Sequence, residues 1–475
     1  MTGDPCLMTL VEMAGAIARG AASSREIVEA HLDRIETLDG RLGCFVTLDR
    51  EDALRAADRA DAAVARGDRL GPLHGVPLAH KDMFDRSGHP TGRGSRVRSD
   101  FRPAGSATVL TRLEAAGAIT LGALAMVEFA MGPHGYNAHL RPCRNPWNPD
   151  HVPCGSSSGS GVSVAARLVA ASLGSDTGGS IRCPASASGV TGLQPTWSRV
   201  SRHGAMPMSP SLDTVGPLAR TAEDCARIMG VIAGADPRDP TASLYPVADY
   251  EAGLGRRLDG LRIGIPVGYF DEGLSPDVAA RLEESRAALR SLGAELVEIA
   301  IPSLIRDAAD LHPLVMKAEG AANHHLWMRD QPEAYSQEVR HRLQAGYFVP
   351  AVDYIQALKL RGALLRRFCD SVFAKVDVLH TAVLPKAAPT VAETTTANGP
   401  AYLDMVVSLT RNTKITNFLG LPAIGVPCGF TGAGLPVSFQ LIGRPFAEPL
   451  LLRCAHQYQG CTDWHTRVPP FVQSA

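Results

Sequence analysis

The amino-acid sequence predicts an α/β fold, a single large α/β/α sandwich with a mixed, mostly parallel central sheet. Three observations support this prediction. From about residue 72 onward, short apolar runs alternate with amphipathic segments, which is the pattern of strands that alternate with helices. Glycine and proline separate these runs, as they do at turns. Finally, 45% of the 475 residues are hydrophobic, which is enough to bury a large core.

Residues 1–70 are expected to form a helical segment that packs on the core. Ser23 and Glu26 have the spacing of a capping box at the start of one helix. A second helix is predicted over residues 51–66, because Gly67 stands where a helix commonly ends. The sequence does not decide whether these helices serve the core or a dimer contact.

Residues 71–475 are expected to form one domain. Its predicted helices span residues 106–117, 162–173 and 276–293, and the first and third begin with the capping residues Ser106 and Ser275. Its apolar runs predict strands over residues 75–81, 118–121, 261–265, 296–299, 376–383, 423–426 and 437–442. Residues 300–400 are more helical and more polar, and we expect them to form a variable cap over a pocket.

The composition argues against several classes of function. A net charge of −1 and an aromatic content of 5% predict no partnership with nucleic acid and no attraction to an anionic membrane. The sequence shows no run of 18 apolar residues and no features of a signal peptide. Ten scattered cysteines without a C-x-x-C pair indicate reduced thiols, not a metal site or a disulfide framework. We therefore expect a cytoplasmic protein without a metal.

Two glycine- and serine-rich segments stand apart from the rest of the sequence. The first covers residues 153–161, the second covers residues 174–182, and an apolar stretch lies between them. A glycine-rich turn before a helix leaves backbone N–H groups free to contact a ligand. Gly178 and Gly179 precede Ser180, so several N–H groups can cluster near one hydroxyl, as an oxyanion hole requires.

Other interpretations of these segments have specific shortcomings. A flexible linker would not bracket an apolar stretch, and neither segment has the spacing of a nucleotide-binding loop. Residues 155–159 match G-x-S-x-G, the motif of an α/β-hydrolase esterase, with Ser157 as the nucleophile. That match leaves the second segment unexplained, and the esterase is kept as an alternative hypothesis.

Together with Lys81-Asp82, the two segments resemble the amidase signature family. The family pattern is a lysine in K-D, then G-G-S-S-G-G, then G-S-D-x-G-G-S-I-R-x-P, and the matching pieces here are residues 81–82, 154–159 and 174–184. Further stretches that look like the same family are residues 129–132, 145–148, 192–196, 211–213, 216–217, 219–221, 420–423 and 434–437. The resemblance covers most of residues 70–455 and leaves only residues 300–400 poorly matched.

The resemblance implies a catalytic triad of Ser180, Ser156 and Lys81. Ser180 matches the nucleophile, Ser156 a bridging serine that follows a cis peptide bond, and Lys81 the base. The two serines are 24 residues apart, as the family pattern expects, which favours Ser156 over Ser157. The other implied positions are the oxyanion hole at Thr177, Gly178 and Gly179, the supporting residues Ser157, Ser175, Asp176 and Arg182, and the substrate-binding residues Met131 and Gly132. The resemblance implies no metal and no organic cofactor.

Three positions depart from the family pattern. Cys154 and Ser158 replace glycines and would narrow or re-aim the pocket, and His80 replaces the usual aliphatic residue before the lysine. We expect His80 to be a structural histidine with satisfied hydrogen bonds. None of these departures removes a catalytic group.

A lysine base must be neutral before it can accept a proton from a serine. The unperturbed pKa of lysine is about 10.4, so the neutral form at pH 7 costs about 4.6 kcal/mol. Burial lowers the pKa of lysine because it disfavours the charged form, and the apolar run before Lys81 predicts burial. Asp82 would oppose this shift if its side chain pointed inward.

The function implied is a serine amidohydrolase that cleaves C–N bonds through an acyl- or carbamoyl-enzyme on Ser180. We expect a stand-alone amidase or carbamate (urethane) hydrolase with esterase side activity, a monomer or homodimer whose only partner is its small-molecule substrate. Residues that suit a small to medium apolar or aryl substrate are Met126, Met131, Leu314, Met316, Trp327 and Tyr347. Ordinary core packing is the alternative for each of them.

Another function within the family is the glutaminase (A) subunit of a tRNA-dependent amidotransferase. That subunit carries an S-R-Y-D-G motif, and residues 319–327 stand in its place here without matching it. Glutaminase activity that depends on a partner protein would support this alternative.

Overall fold

The computed structural model describes residues 4–396 and 399–473. Within these residues, eleven strands form one sheet. The strands are β1 (Phe45–Leu48), β2 (Pro77–Lys81), β3 (Ile119–Leu124), β4 (Ala171–Asp176), β5 (Thr191–Gln194), β6 (Thr214–Ala219), β7 (Arg262–Val267), β8 (Glu295–Ala300), β9 (Val378–Ala382), β10 (Ala423–Phe430) and β11 (Pro436–Ile442).

Helices cover both faces of this sheet. They are α1 (Leu10–Ala18), α2 (Ser24–Leu42), α3 (Arg50–Arg66), α4 (Thr108–Ala115), α5 (Ser158–Ala165), α6 (Arg182–Ser188), α7 (Ala222–Ile232), α8 (Pro276–Ser291), α9 (Leu304–Asp330), α10 (Gln337–Gly346), α11 (Ala351–Phe368), α12 (Val391–Thr396), α13 (Gly399–Thr410), α14 (Lys414–Leu419), α15 (Glu448–Gly460) and α16 (Pro470–Gln473).

The strand order is β1-β3-β2-β4-β6-β5-β10-β11-β9-β7-β8. Parallel pairs lie toward the two ends, where β2 joins β3 and β4, and where β7 joins β8 and β9. The centre from β4 to β9 is antiparallel, as is the edge pair of β1 and β3. The predicted α/β sandwich with a mixed sheet is therefore confirmed. The expectation that the sheet is mostly parallel is wrong, because six of the ten strand pairs among the described residues are antiparallel.

Two layers of helices bury the sheet. Helices α2, α3, α5 and α6 pack apolar side chains against one face, and α1, α4, α7, α8 and α15 pack against the other. Successive side chains of a strand point to opposite faces, so Ala79 of β2 joins the first layer and Leu78 joins the second. Among the helices that the described residues form, none combines the length and the hydropathy needed to cross a membrane.

The local capping signals have mixed outcomes. Ser23 and Glu26 form a complete capping box at α2, and Ser275 caps α8, as predicted. Ser106 does not cap α4, because the residue at the cap position is Ala107. The Ser106 hydroxyl instead accepts a hydrogen bond from the Ser87 N–H at 3.0 Å, which ties two loops together.

The predicted helix over residues 162–173 is wrong in its bounds. Helix α5 ends before Arg167, whose φ of +62° leaves the helical region, and the chain then enters β4. That strand lies between β2 and β6 and is buried along its whole length. A strand buried on both faces carries no alternation of polar and apolar residues, so apolarity alone did not separate it from a helix.

The segment predicted as a cap contains three long helices. Helix α9 packs against α10, α11 and α14, and its apolar side chains form a separate cluster with β9 and α14. Pro313 lies inside α9. The packing of α9 against α10, α11 and α14 places this helix near the C-terminal end of β4.

Gly159 fixes the distance between α5 and the sheet. A Cβ atom at this position would lie 2.7 Å from the Ala125 nitrogen and 2.7 Å from the Cys44 carbonyl oxygen. Both atoms belong to the backbone, so neither can move aside without displacing a strand. The glycine therefore allows the helix that follows Ser156 to approach β3 closely.

We predict that Gly159→Ala lowers the free energy of unfolding by about 2 kcal/mol or more, because overpacking displaces backbone. The matched control is Gly230→Ala on α7, where a Cβ meets no atom within 4 Å. That substitution should raise the stability by about 0.5–1 kcal/mol, because alanine favours the helix. Denaturant unfolding of both variants checks this, and equal effects would contradict the packing argument.

Candidate active site

Lys81 is the last residue of β2, and its side chain is fully buried. By strand alternation, it shares the face of Ala79 that packs against α5. Its Nζ donates to Ser156 Oγ at 2.7 Å and to Ser175 Oγ at 2.9 Å. The structure thus brings together the base and the bridging serine predicted from the sequence, and it adds the Ser175 hydroxyl to them.

The surroundings of Lys81 favour its neutral form. Burial lowers the pKa of Lys81 to about 7, while the carboxylates of Asp213 and Asp176 act in the opposite direction. Asp82 does not oppose this shift, because its Oδ2 accepts from the Gly94 N–H at 3.2 Å. Burial also raises the pKa of Asp82, to about 7. Near neutral pH, Lys81 can therefore exchange a proton with a serine hydroxyl.

Ser156 lies in the turn that leads into α5. The peptide bond between Gly155 and Ser156 is cis, Ser156 is fully buried, and its carbonyl accepts from the Val127 N–H at 3.1 Å. Cys154, which stands in place of a glycine, has a φ of +57°, in the region that favours glycine. The Cys154 side chain packs with Cys183 in a small apolar cluster, so it fills space beside the turn.

The nucleophile candidate Ser180 lies in a turn between β4 and α6, called the Ser180 turn (residues 177–180). All four carbonyls of this turn accept hydrogen bonds from outside it. The donors to its successive carbonyls are His312 Nε2 at 2.8 Å, Thr413 Oγ1 at 2.7 Å, the Cys183 N–H at 2.7 Å and the Ser157 N–H at 3.3 Å. The direction of every peptide unit in the turn is therefore fixed.

The N–H groups of the Ser180 turn divide into two kinds. The Gly179 N–H donates to Asp176 Oδ1 at 2.6 Å, so it is already engaged. Among the described residues, the N–H groups of Gly178 and Ser180 have no acceptor, and these two residues are the partly exposed ones of the turn. They are suited to bind a developing oxyanion.

Gly179 is required by its conformation. Its φ is +128°, and a Cβ atom there would lie 2.3 Å from Thr413 Oγ1 and 2.7 Å from Cys183 Sγ. Any other residue would be strained in this backbone region and would also displace Thr413, which holds the Gly178 carbonyl.

An ion pair between Asp176 and Arg182 closes the Ser180 turn. Both side chains are fully buried, and Arg182 Nε donates to Asp176 Oδ2 at 3.1 Å. Asp176 also accepts from the Ile181 N–H at 3.1 Å. Burial would raise the pKa of Asp176, but Arg182 and these donors hold it below its usual value. The charge of Asp176 is thus fully compensated inside the protein.

Ser157 is not placed to act as a nucleophile. Its side chain is fully buried, and its hydroxyl donates to the Ser175 carbonyl at 3.3 Å. In the parts of the chain that the structure describes, no histidine is hydrogen-bonded to this hydroxyl. The esterase alternative with Ser157 as nucleophile therefore lacks its base. The Ser158 hydroxyl also bonds to backbone, at the Ala125 carbonyl.

His80 lies on the opposite face of β2 from Lys81. Its Nδ1 lies 3.1 Å from the Lys81 carbonyl oxygen, and burial lowers the pKa of His80 to about 4. Its Nε2 is buried without a partner among the described residues. Half of its hydrogen-bonding capacity is thus satisfied, and the ring is neutral near pH 7.

Met131 and Gly132 lie between the Ser156 turn and the cap. The Gly132 carbonyl oxygen would be 3.1 Å from a Cβ at Gly155, and a Cβ at Gly132 would be 3.7 Å from Glu338 Oε1. Met131 reaches under α9, where its Cε would lie 3.3 Å from a Cβ at Gly320. The two predicted substrate-binding residues therefore separate the catalytic residues from α9 and α10.

A charged cluster on α10 lies beside Gly132. Glu338 Oε1 is 3.1 Å from His134 Nε2 and 3.1 Å from an Arg342 amino group. His134 Nδ1 accepts from the Tyr136 N–H at 3.1 Å, so in the neutral ring it is Nε2 that donates to Glu338. The side chains of Glu338 and Arg342 are paired with each other and remain 31% and 25% exposed.

The apolar residues proposed from the sequence do not form one wall. Met126 and Met131 belong to the main core, whereas Leu314 packs against a different cluster. Trp327 stacks on Phe129 with 6.0 Å between ring centroids, and Tyr347 lies at the surface with 46% exposure. Ordinary packing accounts for Met126, Met131, Leu314 and Trp327, whereas Tyr347 is a surface residue.

Five residues near the site were missed by the sequence reasoning: Asp213, His312, Glu338, Arg342 and Thr413. Asp213 lies within a stretch that resembles the family, so its position was visible but its role was not. His312, Glu338 and Arg342 lie in the poorly matched region, and Thr413 comes soon after it. Within the described residues, no three His, Cys, Asp or Glu side chains are grouped to hold a metal ion.

Comparison with known proteins assigns the family. Residues 26–452 match the family model described as Amidase. The chain belongs to the amidase family. As a member of this family, it is an enzyme of the amidase type that hydrolyses carbon–nitrogen bonds. The resemblance drawn from the three motif segments is confirmed.

Two named relatives match this chain over nearly its whole length. The amidase is 41% identical over 485 residues to the A subunit of glutamyl-tRNA(Gln) amidotransferase from Pseudomonas savastanoi pv. phaseolicola (strain 1448A / Race 6), an alignment that covers 97% of this chain and 99% of the relative. It is 41% identical over 479 residues to the protein of the same name from Methylococcus capsulatus, with 97% and 98% covered.

Solved structures share the fold. A chain from a structure described as a vestigial protein complex that reveals the origins of an s-triazine catabolic enzyme has a TM-score of 0.89 at 33% identity, over 95% of this amidase and 98% of that chain. The peptide amidase from Stenotrophomonas maltophilia has a TM-score of 0.84 at 29% identity, over 98% of both chains.

These relatives correct the expected function and partners. The expectation of a stand-alone amide or carbamate (urethane) hydrolase for apolar or aryl substrates is wrong, because the relatives that match 97% of the chain are named as A subunits of an amidotransferase. The expectation of a monomer or homodimer without any nucleic acid is wrong too, since those relatives are subunits named for glutamyl-tRNA. The motifs that guided the expectation belong to the candidate active site, and they do not decide the substrate.

We predict that Arg182→Met lowers the free energy of unfolding by about 3–5 kcal/mol, because it leaves Asp176 charged and buried without its partner. Arg262→Met is the matched control, since the Arg262–Asp377 pair is 41% and 33% exposed. The control should cost no more than about 1 kcal/mol. Similar losses for the two variants in denaturant unfolding would show that burial of the Asp176 pair is unimportant.

Proposed function

We propose that this amidase hydrolyses the side-chain amide of glutamine and releases ammonia, as the catalytic component of an amidotransferase-type assembly. The observation that carries the proposal is the 41% identity to amidotransferase A subunits over 97% of the chain. The partner is then at least one further polypeptide of that assembly. A cytoplasmic location is also proposed, because all ten cysteines are free thiols, as in a reducing compartment.

In the proposed first step, Ser180 Oγ attacks the amide carbon of glutamine. The Ser180 proton passes to Ser156 as the Ser156 proton passes to Lys81, whose Nζ is 2.7 Å from Ser156 Oγ. The carbonyl oxygen becomes an oxyanion beside the Gly178 and Ser180 N–H groups. Fixed N–H donors stabilise such a charge strongly, because they need not reorient during the reaction.

The C–N bond breaks when the same relay returns a proton to the leaving nitrogen. The products of this step are ammonia and a glutamyl ester on Ser180. Water then adds to the ester carbonyl, giving one proton to the Ser156–Lys81 relay. The bond to Ser180 Oγ breaks, glutamate leaves, and Ser180 regains its proton. The sum of the steps is glutamine and water giving glutamate and ammonia.

Charged groups on α10 support an amino-acid substrate. Glutamine carries an ammonium and a carboxylate. Glu338, whose Oε1 would lie 3.7 Å from a Cβ at Gly132, and its ion-pair partner Arg342 offer one group of each opposite sign. Glu319, which stands in place of the motif expected of an amidotransferase, is engaged elsewhere: it accepts from the Ser209 and Ser211 hydroxyls at 2.5 Å each. We therefore assign recognition of the charged end of glutamine to Glu338 and Arg342.

The proposed organisation follows from this assignment. Of the described residues, those within 71–475 form the catalytic domain, those within 1–70 pack on its core, and those within 300–400 cap the pocket; residues 1–3, 397–398 and 474–475 of the predicted ranges lie outside the described residues. Support for the cap comes from His312, which bonds to the Ser180 turn, and from Ser336, whose N–H donates to the buried Glu128 carboxylate at 3.0 Å. The first contact joins the helical region to the Ser180 turn, and the second joins it to the segment that leads to Met131 and Gly132.

We predict that glutamine is hydrolysed by this chain together with the remaining subunits of the Methylococcus capsulatus amidotransferase, and that Arg342→Gln raises the KM for glutamine by about 10-fold or more. The reason is that a charge-assisted hydrogen bond to the carboxylate is worth about 1.5–3 kcal/mol. The kcat should change little, because this bond is made in the ground state and in the transition state alike. Ammonia release measures both constants.

The matched control for this prediction is Arg340→Gln on the same helix, which should leave the KM unchanged. Propionamide, which has no charged end, should be a poor substrate whose turnover does not respond to Arg342→Gln. Turnover of propionamide with none of glutamine, with and without the added subunits, would contradict the proposed function.

We predict that Ser180→Ala and Lys81→Ala each lower kcat by at least about 100-fold, through loss of the nucleophile and of the base. Because Lys81 works as the free amine and burial lowers its pKa to about 7, the rate should rise through pH 7 and level off above it. Ammonia release between pH 5 and pH 9 measures this profile. A flat profile, or turnover near the wild-type rate in either variant, would exclude the relay.

A further inference from the structure

Asp213 lies where the loop before β6 meets the Ser180 turn. Its Oδ1 accepts from Thr177 Oγ1 at 2.6 Å, and its Oδ2 accepts from the N–H groups of Met208 and Ser209, at 2.9 Å each. The side chain is buried, with 6% exposure. The antiparallel register pairs Asp176 with Thr214, which sets Asp213 opposite Thr177. Three donors therefore fix this carboxylate against the turn.

Two carboxylates act on Lys81, and they differ in how they are compensated. Asp176 is paired with Arg182, and both are fully buried. Within residues 4–396 and 399–473, Asp213 forms no ion pair. Arg202 also acts on Asp213, but its guanidinium donates to the Pro210 carbonyl and to Thr241 Oγ1. Asp213 is thus the carboxylate whose charge is left to act on the catalytic lysine.

Ser175 connects Asp213 to Lys81 in space. Lys81 Nζ donates to Ser175 Oγ at 2.9 Å, and both Ser175 and Asp213 line a cavity of about 280 Å³. A cavity of this size with polar walls has room for water. Ser175 therefore contacts Lys81 and also borders the cavity that Asp213 lines.

We propose that Asp213 is a positioning residue of this amidase, whose single carboxylate both holds the Ser180 turn through Thr177 and presents an uncompensated charge to the Lys81–Ser175 pair. The inference rests on the proposed reaction at Ser180, but it does not depend on which amide is hydrolysed. In physical terms, the Asp213 carboxylate couples the base, Lys81, to the Ser180 turn, which binds the oxyanion.

The sign of the electrostatic effect follows from the groups around Lys81. A carboxylate nearby stabilises the ammonium form, so a neutral residue at position 213 makes Lys81 a free amine at lower pH. The other carboxylate that acts on Lys81, Asp176, is held by Arg182. On β2 itself, His80 faces the opposite side of the sheet, and the next residue along, Asp82, bonds to the Gly94 N–H. Burial raises the pKa of Asp213 to about 6, so the two groups titrate as a coupled pair.

The test uses covalent labelling of Ser180 by a fluorophosphonate, followed by intact-protein mass spectrometry between pH 5 and pH 9. In the wild type the labelling rate should rise with pH. In Asp213→Asn and Asp213→Ser the midpoint of this rise should move to lower pH by about 0.5–1 unit. The smaller serine also leaves room for cavity water to satisfy the Met208 and Ser209 N–H groups, so it serves if the asparagine variant does not fold.

The matched control is Asp224→Asn. Asp224 is another fully buried carboxyl whose pKa is raised to about 6 by burial, but it lies on α7 and bonds to the Val11 N–H. Its variant should share any general loss of stability and should keep the wild-type midpoint. A midpoint in Asp213→Asn and Asp213→Ser equal to that of the control would overturn the electrostatic part of the proposal.

The link to the turn is tested separately through Thr177. Thr177→Val removes the hydrogen bond to Asp213 but keeps the carboxylate, so the maximal labelling rate should fall by about 10-fold or more while the midpoint stays. Thr177→Ser should restore the rate. A Thr177→Val variant with the wild-type rate would overturn this part. Absence of Ser180 labelling in the wild type would instead overturn the proposed function itself.

Discussion

The buried ion pair between Asp176 and Arg182 is the interaction on which the site depends. Two fully buried charges are stable only when their remaining hydrogen-bonding groups are also satisfied. Here Arg182 also donates to Asn417 Oδ1 at 2.9 Å and to Gln440 Oε1 at 3.0 Å. Side chains from α14 and β11 thereby converge on the residue that closes the Ser180 turn. Segments far apart in the sequence must fold together before this turn takes its shape.

Much of the arrangement of the candidate active site could be predicted from the sequence, because its residues lie in short motifs. Lys81 and Ser156 were placed in contact on motif grounds, and their atoms are 2.7 Å apart. Strand β4 could not be located, because a strand buried on both faces has no periodic signal. His312 and Thr413 were also beyond reach, since each arrives at the turn by tertiary packing from a segment with no motif of its own.

The substrate was the poorest prediction, for a physical reason. Ser–Ser–Lys chemistry and an oxyanion site act on the amide bond alone, so their residues carry no information about the rest of the substrate. Under the proposed function, that information lies in α9 and α10, within the part of the chain that least resembles the family pattern. Of the apolar residues singled out there, Leu314 and Trp327 are packing residues and Tyr347 is exposed. Glu338 and Arg342, the proposed contacts for glutamine, drew no attention because a salt bridge four residues apart on a helix is usually a surface feature.

Hydrogen bonds hold all four carbonyls of the Ser180 turn, and this affects when the free-energy cost of orienting its dipoles is met. In water, dipoles must reorient around a new negative charge, and that reorganisation is part of the barrier. In this turn the dipoles are oriented once, when the protein folds, by donors on α6 and α9 and at the starts of α5 and α14. The work of preorganisation is thus done by folding and not repeated in each turnover, which links the catalytic rate to the conformational stability of regions remote from Ser180.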